Sequence, residues 1–321
     1  MKPSSEPSEP HSAVARLQLF VVIGLVSAAA LSAGLIGPSH PWLAVAAGIA
    51  LLSVPALVLG LEFLLLPWRS RGDPVSKPVW SVLLSAWVCE FVQYLFAFGW
   101  RQPFRWRAIP DRLAGDGIRG RRGGVMVHGF CCNRGLWNPW LRRLRREHRA
   151  FVAVNLEPVF GSIDDYNATL DDALARVEAV TGLRPLVVCH SMGGLAVRAW
   201  LAKRQASGTT RGDCVHRVVT IGSPHHGTWL ARFSPTANAR QMREGSDWLH
   251  ALAEAWKEGH TGVPHHRFTC WYSNADNIVM PPSSATLYGA DNRLIPGVGH
   301  ITLAQTAEVM NCTLAYLDER H

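Results

Sequence analysis

Several kinds of site leave no signature in this sequence of 321 residues. The seven cysteines include an adjacent pair, Cys131 and Cys132, but no C-x-x-C motif, and their odd number leaves at least one free thiol in any disulfide pattern. No group of residues has metal-ligand spacing, and no internal repeat occurs. No nucleic-acid-binding motif accompanies the net charge of +8. We therefore expect no metal, no cofactor and no nucleic acid partner.

Charge is also scarce in two long segments near the N-terminus. Residues 17–37 and 42–66 are nearly uncharged, are rich in Leu, Val and Ala, and exceed the ~20 helical residues that cross a hydrocarbon core. A cleaved signal peptide is the alternative for the first segment, but a second full-length apolar segment follows it at once. The pattern predicts a transmembrane helical hairpin after a disordered tail at residues 1–16.

The third apolar segment, residues 79–100, carries Glu90 and Gln93 and completes a membrane region over residues 17–100. It is long enough to span a bilayer. Its polar residues equally suit a helix that lies at the interface against the rest of the chain. A carboxylate is costly in lipid, so Glu90 is expected to face protein or water.

Arginine dominates residues 101–122, which we interpret as a basic linker. Short basic flanks favour the cytoplasmic side of a membrane, and the net charge of +8 fits attraction to anionic lipid headgroups. The charge pattern therefore favours residues 123–320 on the cytoplasmic side of the membrane, which in a bacterium is the inner membrane.

A strand-like run at residues 185–188 leads into Cys189-His190-Ser191-Met192-Gly193-Gly194, and a helix-like run follows at residues 195–201. A strand, a sharp turn with serine at its tip and a helix are the layout of a nucleophile elbow. In the usual pattern, G-x-S-x-G, small residues flank the strained serine. Gly193 fills the second glycine position and Cys189 stands in the first.

Three further motifs surround this turn in the sequence. A strand-like run at residues 124–127 precedes His128-Gly129-Phe130, and another at residues 268–272 precedes Asp276. His300 follows glycine on a loop before the last predicted helix. Asp291 is a rival acid, but its position suggests a loop, whereas Asp276 comes just after a strand end.

Together these motifs resemble the α/β-hydrolase family of lipases and esterases over roughly residues 120–320. The Ser223-Pro224-His225-His226-Gly227-Thr228 run is similar to the T-P-H-x-G-T segment of bacterial triacylglycerol lipases. The resemblance implies an α/β fold, with a mostly parallel sheet, helices on both faces and a helical cap, preceded by the transmembrane helices. It also implies carboxylic-ester hydrolysis without a cofactor, on an acyl-ester or lipid substrate.

The resemblance assigns a role to each candidate residue. Ser191 is the nucleophile, His300 the general base and Asp276 the acid that orients it, in the chain order that this fold uses. The backbone amides of Phe130 and Met192 form the oxyanion hole. The residues assigned a supporting role in the same site, beside the triad and the oxyanion hole, are His128, Gly129, His190 and Gly193.

The segment at residues 228–264 has two interpretations. Its apolar residues at 248, 249, 252, 255 and 256 follow helical spacing. They belong either to a cap whose apolar face forms the acyl pocket or to an ordinary helix packed on the core.

Function also has alternatives. The same triad serves acyl transfer or thioester cleavage, and a hydrolase fold without activity would be a membrane-bound binding or scaffold protein.

Overall fold

The computed structural model describes residues 12–207, 214–257 and 267–319. Its first elements are three apolar helices, α1 (Ala13–Ile36), α2 (Pro41–Arg69) and α3 (Trp80–Phe96), the last of which continues through a π-helical turn into α4 (Gln102–Phe104). By length and composition, α1, α2 and the continuous segment Trp80–Phe104 could each cross a membrane. These helices support membrane association of the chain.

The predicted tail is shorter than expected. Because α1 begins at Ala13, residues 13–16 are helical, and the Ser12 side chain accepts a hydrogen bond from the backbone amide of Ala15 as a helix cap. Residues 1–11 of the predicted tail lie outside the described residues.

Six parallel strands form one sheet in the order β2-β1-β3-β4-β5-β6. Their bounds are β1 (Gly124–Val127), β2 (Phe151–Ala153), β3 (Leu186–His190), β4 (Arg217–Ile221), β5 (Phe268–Tyr272) and β6 (Asp291–Leu294). A parallel sheet covered on both faces has apolar strands throughout, because alternate side chains enter two separate core layers. In β1, Val125 and Val127 lie in one layer and Met126 lies in the other.

Helices cover both faces of this sheet, as the sequence predicted. They are α5 (Asn138–Arg146), α6 (Asn167–Thr181), α7 (Met192–Ala206), α8 (Ala237–Gln241), α9 (Asp247–Ala255), α10 (His300–Leu303) and α11 (Ala307–Ala315). Apolar residues of α6 and α7 pack in the layer of Val125, and those of α5 and α11 pack in the layer of Met126. The α/β-hydrolase architecture predicted from the motifs is confirmed.

Residues 101–122 are packed onto the sheet domain, whereas the sequence suggested a basic linker. Arg101 belongs to the helical segment, and Ile109 is buried in the core. Arg112 pairs antiparallel with Phe151 at the start of β2. The guanidinium of Arg122 donates to the carbonyl of Arg184 at 2.9 Å. This segment therefore packs against the domain through its backbone, its buried Ile109 and the Arg122 side chain.

The apolar helices and the sheet domain share a small core of their own. Phe63 of α2 and Leu83 of α3 are buried together with Ala275 and Met280 from the loop after β5. The sequence left open whether residues 79–100 span a bilayer or lie against the rest of the chain. In the structure, α3 lies against both α2 and the sheet domain.

The segment after β4 packs on the main core. Leu249, Leu252 and Trp256 are buried in the same layer as α7, and the Trp256 indole donates to the carbonyl of Arg198 in that helix. These residues match the prediction of a helix packed on the core. Residues 258–264 of the predicted cap lie outside the described residues.

Candidate active site

Ser191 occupies the sharp turn between β3 and α7. Its backbone has φ 54° and ψ −129°, a region that non-glycine residues rarely adopt. The serine is held there because its amide donates to the carbonyl of Ile221 in the neighbouring strand at 2.9 Å. The strained turn presents the serine at the carboxyl edge of the sheet, where parallel α/β folds bind ligands.

Close approach explains the glycines of this turn. A Cβ at Gly193 would stand 2.7 Å from the carbonyl oxygens of Val127 and His128, and one at Gly129 would stand 2.6 Å from the Cβ of Ser191. Cys189, in place of the usual first glycine, is buried in the core and is accommodated there. The sequence therefore has glycine at the two positions, 129 and 193, where any side chain would collide with neighbouring atoms.

Asp276 and His300 form a buried pair beside the serine. His300 Nδ1 lies 2.8 Å from Asp276 Oδ2. The other carboxylate oxygen, Oδ1, accepts hydrogen bonds from the amides of Ile278 and Val279, both at 2.9 Å. Both oxygens of Asp276 are thus engaged, which fixes the carboxylate and, through it, the imidazole.

The surroundings of His300 favour its protonated form. Burial opposes the charge, but Asp276 outweighs it through its negative charge and its hydrogen bond, and Glu90 and Glu62 add to the effect. The pKa of His300 is consequently raised above its usual range. An imidazole that gains a proton readily is suited to accept one from a neighbouring hydroxyl.

His128 fixes the loop that carries Gly129 and Phe130. Its Nδ1 lies 2.9 Å from the carbonyl of Gly129, and its Nε2 accepts from the amide of Leu156 at 3.0 Å. These partners require a neutral ring with the proton on Nδ1. Burial lowers the pKa of His128 to about 4, which agrees with that form.

The remaining predicted positions lie close by. Met192 is the first residue of α7, so its amide is one of those left without a partner inside the helix. The His190 ring is tilted against the His300 ring with centroids 4.5 Å apart, and its Nε2 lies 3.2 Å from the His300 carbonyl. Phe130 lines the cavity in front of Ser191. The structure brings all of the predicted site residues together.

Asp291 lies elsewhere. It begins β6, at the edge of the sheet, rather than a loop, and its carboxylate pairs with Arg293 at 2.6 Å. Its strand position was missed because four residues with two charges give no apolar alternation.

The second apolar helix reaches the candidate site through a carboxylate that the motifs did not indicate. Glu62 of α2 accepts from the Asn277 side chain at 2.6 Å, and Asn277 Oδ1 accepts from the His300 amide at 3.1 Å. In the sequence, the indication of such a role was that Glu62 is a lone acid in an apolar segment, where a carboxylate needs a partner. Sequence reasoning also missed Gly222, where a Cβ would stand 2.9 Å from Asp276 Oδ2.

The third apolar helix contacts the loop of His300 itself. Glu90 of α3 is 1% exposed and accepts three hydrogen bonds, from the amide of Ile301 at 2.6 Å and from the amide and hydroxyl of Thr302 at 2.9 and 2.6 Å. Of the two surroundings expected for Glu90, protein or water, the structure shows protein. Its partners are the residues directly after His300.

The first apolar helix touches the remaining loop. The amide of the Gln18 side chain donates to the carbonyl of Cys131 at 3.0 Å, one residue beyond Phe130. Each apolar helix therefore places one polar side chain on a different loop of the candidate site.

A cavity of about 430 Å³ opens in front of Ser191 and His300. One part of its wall comes from the sheet domain, and the other comes from the apolar helices α1, α2 and α3. Among the described residues, none of those between 228 and 257 lines it. In this described part of the segment, Leu249, Leu252 and Trp256 pack in the main core, in agreement with the second interpretation of the segment.

Comparison with known proteins places the fold in a family. Residues 125–316 match the family model described as the alpha/beta hydrolase family. The mature form of the Bacillus licheniformis lipase BlEst2 is similar in structure, with a TM-score of 0.53 at 18% identity, over 63% of this chain and 96% of that one.

The propeptide form of the same lipase also matches, with a TM-score of 0.53 at 17% identity, over 66% of this chain and 53% of that one. No curated protein matches the sequence. The family model covers more than half of the chain, and the parallel sheet, the strained serine turn and the loop order agree with it. This chain belongs to the alpha/beta hydrolase family.

Proposed function

We propose that this protein is a membrane-associated serine hydrolase that cleaves carboxylic esters. The proposal rests chiefly on one observation, the buried His300–Asp276 pair, whose histidine lines the same cavity as Ser191 at its strained turn. The similarity to a lipase of known structure supports the fold in which this chemistry operates.

In the proposed mechanism, Ser191 Oγ attacks the carbonyl carbon of the ester while His300 Nε2 takes the hydroxyl proton. The tetrahedral intermediate collapses, the carbon–oxygen bond to the alcohol breaks, and His300 returns the proton to the leaving alcohol. Water then attacks the acyl-enzyme by the same route, which releases the acid and restores the serine. Asp276 holds the proton of His300 on Nδ1 and stabilises the imidazolium.

The negative oxygen of each intermediate requires hydrogen-bond donors that are already in place. The backbone amides of Phe130 and Met192 would supply them, with the His128 side chain fixing the first loop and the start of α7 fixing the second. No step in this mechanism draws on a metal or a cofactor.

Hydrolysis of nitrophenyl esters by the purified full-length protein in detergent tests the proposal. We expect acid and nitrophenol to form in equal amounts, with turnover abolished by a serine-directed phosphonate. A protein that binds these esters without turnover would instead be a binding or scaffold protein, and transfer of the acyl group to added alcohol in preference to water would indicate an acyltransferase.

Glu90 is a positioning residue in this account, and Glu90→Gln is expected to lower kcat about tenfold or more with little change in KM. Glutamine matches the shape of glutamate but has a single acceptor oxygen, so it cannot accept from Ile301 at one end and from Thr302 at the other, and the loop of His300 loses part of its anchor. Removing a negative charge also lowers the pKa of His300. The acid limb of the kcat/KM profile should therefore move to lower pH.

Glu244→Gln is the matched control, because Glu244 also joins a sheet-domain loop to an apolar helix, through Arg69 at 3.1 Å, but does not touch the loop of His300. It should leave kcat and the pH profile unchanged. An unchanged profile in Glu90→Gln would contradict a positioning role, whatever happens to the yield of folded protein.

We further propose an inner-membrane location with the sheet domain on the cytoplasmic side. Full-length protein should stay in the membrane fraction after a carbonate wash, because α1 and α2 each exceed the span of a hydrocarbon core. Cysteines introduced at exposed sheet-domain sites should react with an impermeant maleimide only after cells are opened. Release by carbonate would refute the anchor, and labelling in intact cells would refute the orientation.

A further inference from the structure

We propose that the apolar helices α1 and α2 bind the acyl chain of the substrate, and that a long-chain lipid ester enters the site sideways from the bilayer between them. The inference rests on the proposed ester hydrolysis and names its substrate class. It assigns to these helices a role in binding as well as in anchoring.

The wall of the cavity changes character along its length. Around Ser191 it carries the polar groups of His300, Asn277 and Glu62, and apart from Glu62 the residues of α1 and α2 in the wall are apolar. The apolar side chains there are Val21, Leu25, Val54, Pro55, Val58 and Leu59. A long apolar cavity with a few polar groups at one end suits a ligand with one reactive polar bond and a hydrocarbon tail.

The open side of this cavity lies among residues that would face lipid. Val21 on α1 and Val54 and Val58 on α2 line the cavity and are also 48%, 46% and 53% exposed. These half-exposed side chains sit on helices long and apolar enough to span a bilayer. A mouth bordered by such residues would connect Ser191 with the bilayer, where long-chain esters are concentrated.

The apolar part of the cavity between α1 and α2 is suited to bind a hydrocarbon tail. A water-soluble ester with a short acyl group would leave the part between α1 and α2 unfilled, whereas a long chain would bury its methylene groups there. Each methylene moved from water to such a wall favours binding by about fourfold. This binding raises kcat/KM for long-chain esters to the extent that the acyl chain keeps its contact with α1 and α2 in the transition state.

Blocking the apolar part with a bulky side chain tests the inference. Val58→Trp should reduce kcat/KM for dodecanoyl nitrophenyl ester at least tenfold and change that for the butyryl ester by less than threefold, since on this proposal only the long chain fills the apolar part at Val58. The wild-type protein should prefer the longer ester. Both proteins are measured at full length on both esters in the same detergent.

Leu57→Trp is the matched control, because Leu57 is the adjacent residue of α2, is 66% exposed and is not part of the cavity wall. It should leave both esters unaffected. An equal loss on both esters in Val58→Trp, or no loss on the longer one, would overturn the inference.

A binding measurement separates this inference from the proposed catalysis. A monoacyl lipid with a diazirine near the end of its chain, reconstituted with the Ser191→Ala variant in vesicles, should crosslink to α1 or α2 near Val21, Val54 or Val58 after irradiation. Crosslinks confined to residues 229–257 or to the outer surface of the sheet domain would refute the acyl site. This outcome is independent of whether Ser191 is the nucleophile.

Discussion

Ser191→Ala is expected to abolish ester hydrolysis, with a loss of about 10⁶-fold in kcat. The reason is that its hydroxyl is the only nucleophile at the turn beside His300, and no acyl-enzyme forms without it. Alanine also fits the strained backbone no worse than serine, so the fold should persist. The rate is measured with purified protein on nitrophenyl esters, with circular dichroism as the check on folding.

Ser207→Ala controls for the loss of a serine that flanks the same helix. Ser191 directly precedes α7, whereas Ser207 directly follows its last residue and is exposed, so the Ser207 variant should match the wild-type rate. Near-wild-type turnover by folded Ser191→Ala would remove Ser191 from the mechanism.

The second large effect is expected for Asp276→Asn, with a loss of about 10⁴-fold in kcat. An asparagine amide facing His300 Nδ1 donates a hydrogen bond where the carboxylate accepted one. The ring proton then moves to Nε2, which can no longer take the proton of Ser191. Loss of the negative charge also lowers the pKa of His300, so any residual activity should extend to lower pH.

Asp291→Asn is the matched control, since Asp291 is the rival candidate for the acid of the triad. It lies at the sheet edge in a pair with Arg293, and its variant should keep the wild-type rate. A large loss of activity in Asp291→Asn, together with an active Asp276→Asn, would mean that Asp291 and not Asp276 is the acid of the triad.

Local sequence patterns were sufficient for the fold and for the candidate triad. The serine turn needs small residues because Gly193 lies against the carbonyls of Val127 and His128, and that crowding is visible as a motif. Buried parallel strands are apolar throughout, which marked β1, β3 and β5. The two edge strands were not predicted, because β2 has only three residues and β6 carries charged residues.

Contacts between distant parts of the chain could not be predicted in the same way. The bond from Glu90 to Ile301 joins residues 211 positions apart, and no pattern in either segment specifies the other. The sequence indicated only that a lone carboxylate in an apolar helix requires a partner. For the segment after β4 the sequence left two interpretations, a cap that forms the acyl pocket and a helix packed on the core. Leu249, Leu252 and Trp256 are used by the core, and the cavity wall comes from the sheet domain and from α1, α2 and α3.

The measurement that tests the account most directly is labelling of the full-length protein with a fluorophosphonate, followed by mass spectrometry of its peptides. A nucleophilic serine activated by His300 should give one phosphonyl adduct, located on Ser191. The adduct should disappear in His300→Ala and should form more slowly in the presence of a long-chain ester. Absence of an adduct, or an adduct on a different residue, would contradict the assignment of Ser191 as the nucleophile of a membrane-associated ester hydrolase.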